Sequence, residues 1–264
     1  MGLKISLTAL GTASGIGIAP GAALLALLLA GCGAGPTADG INDPFETANR
    51  RVHAFNTGVD RVLVGPASKG YGGVVPEPVK RVVGNVADTL DLPGDIANNL
   101  LQLRIDDAAQ NTLRLATNLT FGVGGLFDFS TAIGLPGEPT DFGETLHVWG
   151  AGEGAYVELP LAGPSTVRDT VGMAVDLALN PVRLALPTKE ANAATVLKLF
   201  SRLGDRDRFS ETVESILYDS ADSYAQARLL YLQNRRFELG QDTQSGDGSS
   251  DDSFIDPYED PYAE

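Results

Sequence analysis

Leu29-Ala30-Gly31-Cys32 constrains this chain more than any other stretch, because it decides which residues are present when the protein folds. The run follows the apolar segment Ala22 to Leu29. It presents leucine, two small residues and then the chain's single cysteine. That is the pattern cut by the lipoprotein signal peptidase. Small side chains flank the scissile bond, and the thiol takes a diacylglyceryl group. The competing reading is a short membrane anchor with an incidental cysteine, but the apolar run falls well short of the roughly 20 residues that span a bilayer. A lone cysteine also forms no internal disulfide. The expected organisation is therefore a signal peptide over 1–31, a lipidated flexible tether over 32–41, a folded domain over 42–238 and an acidic disordered tail over 239–264. Cys32 is the expected acyl anchor, and Gly33 after it favours export to the outer membrane. The expected location is the outer membrane, lipid-anchored and facing the periplasm.

The formal net charge is −15. Such a balance argues against nucleic acid and against electrostatic adhesion to anionic lipid heads. Part of the charge is local: nine acidic residues and no Lys or Arg lie between Glu238 and Glu264. Gln241–Asp252 contains no apolar residue and cannot bury enough surface to fold.

The mature chain reads as mainly α. Asp43, Pro44 and Glu46 resemble a helix start with a cap, a first-turn proline and a capping-box partner. Phe45, Ala48, Val52, Phe55, Val59 and Val62 recur at helical spacing, and Gly65-Pro66 is expected to end that helix. A second helix opens at Pro76-Glu77-Pro78 and is expected to be interrupted at Pro93-Gly94. Ile96 to Leu103 suggests a short third helix. A fourth begins at Asp106 or Asp107, with Ala109, Leu113, Ala116 and Leu119 as its apolar face. Short strands are expected at Leu146–Trp149 and Tyr156–Leu159, with a turn at Gly163-Pro164. Ser165 is the expected cap of the next helix, which ends at Asn180-Pro181. Further helices are expected over Ala191–Leu203 and, unbroken, from Phe209 to Glu238.

No catalytic constellation emerges. His53 and His147 stand outside metal-ligand spacings. His53 falls on the polar side of the first helix, and His147 reads as a satisfied structural residue. Ser165 lacks a nucleophile elbow. Gly122–Gly125 lacks the Lys-Ser/Thr of a phosphate-binding loop. The chain reads as a non-enzyme, with no metal and no cofactor. The run Leu119–Leu135 carries one formal charge, Asp128, and suits either a core or a membrane-dipping loop.

Ordered blocks resemble one family. Asn42-Asp43-Pro44-Phe45-Glu46-x-x-Asn49-Arg50 and Phe55-Asn56-x-x-x-Asp60 are similar to the opening signature of the MlaA/VacJ lipoproteins. Asn98-x-Leu100-Leu101-Gln102, Asn118-x-Thr120-x-Gly122-x-Gly124-Gly125-Leu126-Phe127-Asp128 and Asp141-Phe142-Gly143-x-Thr145-Leu146 continue it. Trp149-Gly150-x-Gly152-x-Gly154-x-Tyr156-Val157 and Gly163-Pro164-Ser165-Thr166-x-Arg168-Asp169 complete it. The chain departs at Asn85-Val86, where the family commonly has Asn-Phe.

The resemblance implies amphipathic helices arranged as a ring-like, membrane-embedded domain with Gly-rich loops. It implies an outer-membrane lipoprotein that removes mislocalised phospholipids from the outer leaflet through an amphipathic channel. Its implied partners are phospholipid, a trimeric porin and a periplasmic lipid-carrier protein of an MCE–ABC transport system. On this basis Phe55 and Asn56 are candidates for holding the channel restricted, and Gly150, Gly152 and Gly154 for a gating loop. Arg183 and Lys189 are candidates for attracting lipid phosphate. For all of these a structural or solvated role competes. The alternatives for the whole chain are a structural or adhesion outer-membrane lipoprotein without transport, and a lipid-processing enzyme.

Overall fold

Polar side chains fill much of the interior of this protein while large apolar ones cover its exterior, and the helices are laid out to suit. The computed structural model describes residues 41–241. The signal peptide, Cys32, the tether up to residue 40 and the tail from 242 lie outside the described residues.

Helix α1 (Glu46–Val59) runs through a π-helical turn (Asp60–Val64) into α2 (Gly65–Val74). Gly65-Pro66 thus continues the helix instead of ending it. Pro66 follows closely on the π turn, where the hydrogen-bond register changes, and its missing N–H is accommodated there. The expected cap at Asp43 is also corrected. Phe45 stands at the N-cap with no side-chain bond, and Asp43 is buried against the far end of the chain.

Helix α3 (Glu77–Leu101) is one 25-residue element with Pro93 inside it, so the expected break and separate third helix do not occur. Helix α4 (Ile105–Thr120) starts as the acidic pair suggested, with Asp106 and Asp107 in its first turn. A glycine-rich turn leads to a single turn, α5 (Phe129–Ala132), capped by Asp128. Leu146–Trp149 is not a strand. Its first residues belong to α6 (Phe142–Val148), whose N-cap Asp141 accepts from the Glu144 amide.

Strand β1 (Tyr156–Leu159) matches the expectation and pairs antiparallel with β2 (Gly163–Thr166), Tyr156 opposite Thr166. Gly163-Pro164 therefore opens a strand. Thr166, not Ser165, caps α7 (Val167–Ala178), accepting from the Asp169 amide while its own hydroxyl donates to Asp169 Oδ2 at 2.9 Å. Asn180 caps the short α8 (Pro181–Ala185). Helix α9 (Thr188–Arg208) is longer at both ends than expected. The final segment is broken. Helix α10 (Ser210–Glu214) passes into a second π turn (Ser215–Asp219), and α11 (Ser223–Glu238) restarts with Asp222 as its cap.

The packing forms a closed circuit. Helix α1 lies on β1, β1 pairs with β2, and β2 abuts α7. Helix α7 packs on α6, α6 on α3, α3 on α9 and α9 on α2, which is continuous with α1 through the π turn. Helix α4 packs along α3. The fold is mainly α, as the sequence suggested, and its amphipathic helices close into a ring-like circuit. No helix among the described residues is long and apolar enough to cross a membrane.

Helix α4 shows the inversion most clearly. The residues expected to pack, Leu113 and Leu119, are each 51% exposed. Ala108, Asn111, Arg114 and Asn118 are buried instead. The periodicity is amphipathic, but the helix turns its polar side inward. Hydrophobic patterning alone identifies two unlike faces and does not say which solvent each meets. Among the described residues, the aliphatic core is correspondingly small, with Leu92, Val182 and Leu232 its buried branched side chains.

Candidate functional site

Buried polar groups of this kind persist when most of their polar atoms are hydrogen-bonded, and two sets of such bonds organise this interior. The first set ties α1 and β1 to α11. Asp43 accepts from Asn49 Nδ2 at 2.9 Å, from the Tyr224 hydroxyl and from Arg228. Asn49 also donates to the Tyr156 carbonyl (3.1 Å) and accepts from the Glu158 amide (3.0 Å). His53, expected on a polar surface, is buried, its Nδ1 3.2 Å from Glu158 Oε1 and its Nε2 3.1 Å from Ser223 Oγ. Arg50 makes a two-pronged pair with Asp222, 2.9 Å at each oxygen. Burial, helped by the Asp43 hydrogen bond, pushes the Tyr224 hydroxyl well above its ordinary pKa. It therefore remains a donor.

Asn56 joins this network. It donates to the Leu159 carbonyl at 2.9 Å and accepts from the Leu161 amide at 2.8 Å, fixing the β1–β2 turn on α1. Phe55, beside it, is 53% exposed on the outer side. The two neighbours thus face different environments.

A second set surrounds the glycine-rich turn. Gly150 ends α6 with a left-handed backbone (φ +92°), and its amide bonds to the His147 carbonyl at 2.8 Å. Gly154 is also left-handed (φ +76°), and a Cβ there would stand 3.0 Å from Val167 Cβ. Between them Glu153 is gripped by Arg236 through two 3.0 Å bonds. Gly152 has open space around it. The turn is therefore held at Gly150, Ala151, Glu153 and Gly154, and the space beside Gly152 stays open. Below it, Arg235 bridges Asp141 (2.7 Å) and Asp169 (3.2 Å), and Tyr231 donates to Asp169 at 2.8 Å. His147 is half-buried, which lowers its pKa, and its Nδ1 lies 3.4 Å from Gln241 Nε2.

A line of clefts follows the inner side of α3. A cavity of about 490 Å³ lies between α3 and α4, walled by Asp88, Asp91, Asp95, Arg114 and Glu138 among others. It shares Asp91 and Asp95 with a cavity of about 410 Å³, which adds Leu101, Val175 and Leu179. It shares Asn85 and Asp88 with one of about 440 Å³ beside α9. Burial raises the Asp95 carboxyl to about 7, opposed by the hydrogen bond from the Thr140 amide at 3.3 Å. Burial also raises Asp88, with Asp91 and Asp205 adding to it. Neighbouring clefts thus share wall residues, and each is of a size that suits small-molecule binding.

The sequence candidates fall differently. Arg183 on α8 and Lys189 on α9 are exposed and line none of these cavities. Asp95, Arg114 and Glu158 were not singled out by the sequence. Asp88, Asp91 and Asp95, three and four apart on one helix, were the available signal. Among the described residues, no cluster of His, Cys, Asp and Glu is placed to hold a metal ion.

Comparison with known proteins bears on this arrangement. Residues 41–238 match the model of the MlaA lipoprotein family. The chain is 30% identical over 243 residues to the intermembrane phospholipid transport system lipoprotein MlaA of Escherichia coli K12, covering 90% of this chain and 89% of that one. It is 33% identical over 196 residues to an uncharacterized protein of Rickettsia bellii, covering 74% and 76%. A solved structure described as the structural basis for maintenance of bacterial outer membrane lipid asymmetry superimposes with a TM-score of 0.64. That match is 27% identical and covers 75% of this chain and 98% of the other.

Proposed function

The chain belongs to the MlaA lipoprotein family, and on that premise we propose that it is an outer-membrane lipoprotein of intermembrane phospholipid transport. It takes mislocalised phospholipids from the outer leaflet through an amphipathic passage and hands them to a periplasmic lipid carrier. The observation that carries this reading is the inversion of the helices. Leu113, Leu119, Phe121 and Phe127 point outward while Asn111, Arg114 and Asn118 are buried. Apolar exteriors are favourable in acyl chains, where no hydrophobic penalty attaches to them. A polar interior spares the lipid head group the cost of crossing hydrocarbon with an unpaired charge.

Cys32 supplies the anchor. Two or three acyl chains, at about 0.8 kcal/mol per buried CH₂, hold the protein at the inner leaflet. A trimeric porin covers part of the apolar rim, and an MCE–ABC system draws lipid onward from the carrier. The work is conduction and needs no catalytic group. Gly152, with open space beside it in this tied turn, is the pivot of a gate, and Asn56 holds the β1–β2 turn on α1. Deleting the gene and measuring surface-exposed phospholipid tests the reading. A rise reversed by the intact gene is expected. An unchanged outer leaflet would favour a structural lipoprotein instead.

A further inference from the structure

Three side chains from α1, β1 and α11 meet in an arrangement suited to acyl transfer. His53 has its Nδ1 3.2 Å from Glu158 Oε1 and its Nε2 3.1 Å from Ser223 Oγ. Glu158 is held in turn by the Tyr156 hydroxyl and by Asn56 Nδ2 at 3.3 Å, so its position and that of the ring are fixed. With Nδ1–H donated to the carboxylate, Nε2 turns its lone pair to the serine hydroxyl. Nucleophile, base and orienting acid thus stand in series at hydrogen-bond distance. Geometry of this kind defines such a site whatever the order of the residues in the chain. Ser223 is half-buried, so water and substrate reach it.

Two neighbouring features supply what the chemistry needs besides a nucleophile. Ser223 and Tyr224 open α11, where no carbonyl of the helix reaches their amides. The Ala225 amide is taken by Asp222 Oδ1 and the Gln226 amide by the Asp222 carbonyl. The first two amides are left for the negative oxygen that forms when the hydroxyl attacks a carbonyl. The Asp222 charge would oppose that oxygen, but Arg50 matches it at 2.9 Å. The second feature is a cleft of about 270 Å³ with His53 in its wall, together with Val59, Val64, Leu161, Leu217 and Ala227. Ser223 precedes Ala227 by one turn on the same face of α11. Leu161 is 74% exposed and left-handed (φ +64°), a strained and water-facing leucine whose cost a ligand contact offsets. The cleft is smaller than the roughly 300–1,000 Å³ of sites that enclose drug-sized ligands. It suits one acyl segment, not a whole phospholipid.

We propose that Ser223, His53 and Glu158 form an esterase site for single-chain acyl esters. The site goes beyond the transport reading and does not depend on it, since none of the three residues lines the clefts along α3. Ser223 Oγ attacks the ester carbonyl as its proton passes to His53 Nε2. The bond from Oγ to the carbonyl carbon forms, the bond from that carbon to the alcohol oxygen breaks, and the alcohol leaves with the proton. Water then attacks the acyl-serine and gives a proton to His53, the carboxylic acid departs, and the proton returns to Ser223. The net change is ester plus water to acid plus alcohol, with no further reactant.

The test treats the full-length protein in detergent with a fluorophosphonate, which labels activated serines, and maps the labelled peptide. Labelling of Ser223 is expected. The same protein is expected to hydrolyse para-nitrophenyl octanoate above the buffer rate. Ser223→Ala and His53→Gln are each expected to reduce that hydrolysis by about 100-fold or more. Ser220→Ala, outside this set, keeps both labelling and hydrolysis. Native protein in which Ser223 takes no label overturns the proposal. So does hydrolysis that survives Ser223→Ala in protein folded by circular dichroism. If Ser223→Ala does not fold, labelling of the native protein decides alone. Each of these outcomes leaves the transport reading as it was.

Discussion

Replacing Asp43 with alanine breaks the contact that ties the start of the described chain to α11. The Asp43 side chain is 1% exposed and that of Arg228 13%. Three donors converge on it, from Asn49, Tyr224 and Arg228. Breaking a buried ion pair by removing one partner costs about 3–5 kcal/mol, chiefly because the other charge stays buried. Here Arg228 retains a distant carboxylate, Glu46 Oε2 at 3.8 Å, and the Tyr224 ring 5.3 Å away. The lower end, about 3 kcal/mol, is therefore the expected loss. For a chain of this size that lowers Tm by about 6–12 °C. Thermal unfolding of the purified protein in detergent, followed by far-UV circular dichroism, measures it. Asp43→Asn keeps acceptor oxygen and should lose less. Tyr224→Phe combined with Asp43→Ala should lose less than the sum, because the two share one contact. A Tm unchanged in Asp43→Ala, or strict additivity in the double variant, would refute the idea that this carboxylate locks the ends together.

Three further outcomes follow from the same geometry. Gly154→Ala meets both a left-handed backbone and Val167, and should destabilise by about 1–2 kcal/mol; Gly152→Ala meets neither and should stay within about 0.5 kcal/mol of native while slowing lipid passage, so normal lipid asymmetry in that variant would remove the gate. Asp95 binds its proton more tightly folded than unfolded, so the native protein loses stability as pH rises from about 4 to about 7. Asp95→Asn lacks that loss and should be more stable by up to about 4 kcal/mol above pH 7 in denaturant titrations, with no gap below about pH 4. Leu113→Asp, on the outward side of α4, should leave the fold in detergent intact while reducing partition into vesicles, and equal partition would contradict an acyl-facing surface.

How much of this was legible in the sequence varied with the physics at each position. Helical period, the helix end before Asn180-Pro181 and strand β1 depend on local chemistry and were readable. The breaks expected at Gly65-Pro66 and Pro93-Gly94 were not made. Pro66 sits where a helix tolerates proline, and α3 continues through Pro93 while packing against α4 and α9. Conversely, no glycine or proline announced the break before Asp222. That break arises from tertiary contact, since Asp222 both caps α11 and pairs with Arg50, 172 residues away in the chain. The direction of burial was the least legible feature. Leu113 and Leu119 carry the pattern of a core face, yet they face out because the polar side of α4 has Asp128, Ser130 and Glu138 to bond with. His53 was hidden for the same reason, its partners Glu158 and Ser223 being far away in sequence.

Reconstitution tests the central claim most directly. Vesicles carrying the full-length lipoprotein and a fluorescent phospholipid in one leaflet are mixed with a soluble lipid-carrier protein, and transfer of the label to the carrier is followed. The account predicts transfer that requires the lipoprotein, proceeds without ATP and stops when the Gly152 turn is cross-linked to α7. Correctly inserted protein that moves no phospholipid to the carrier would contradict it.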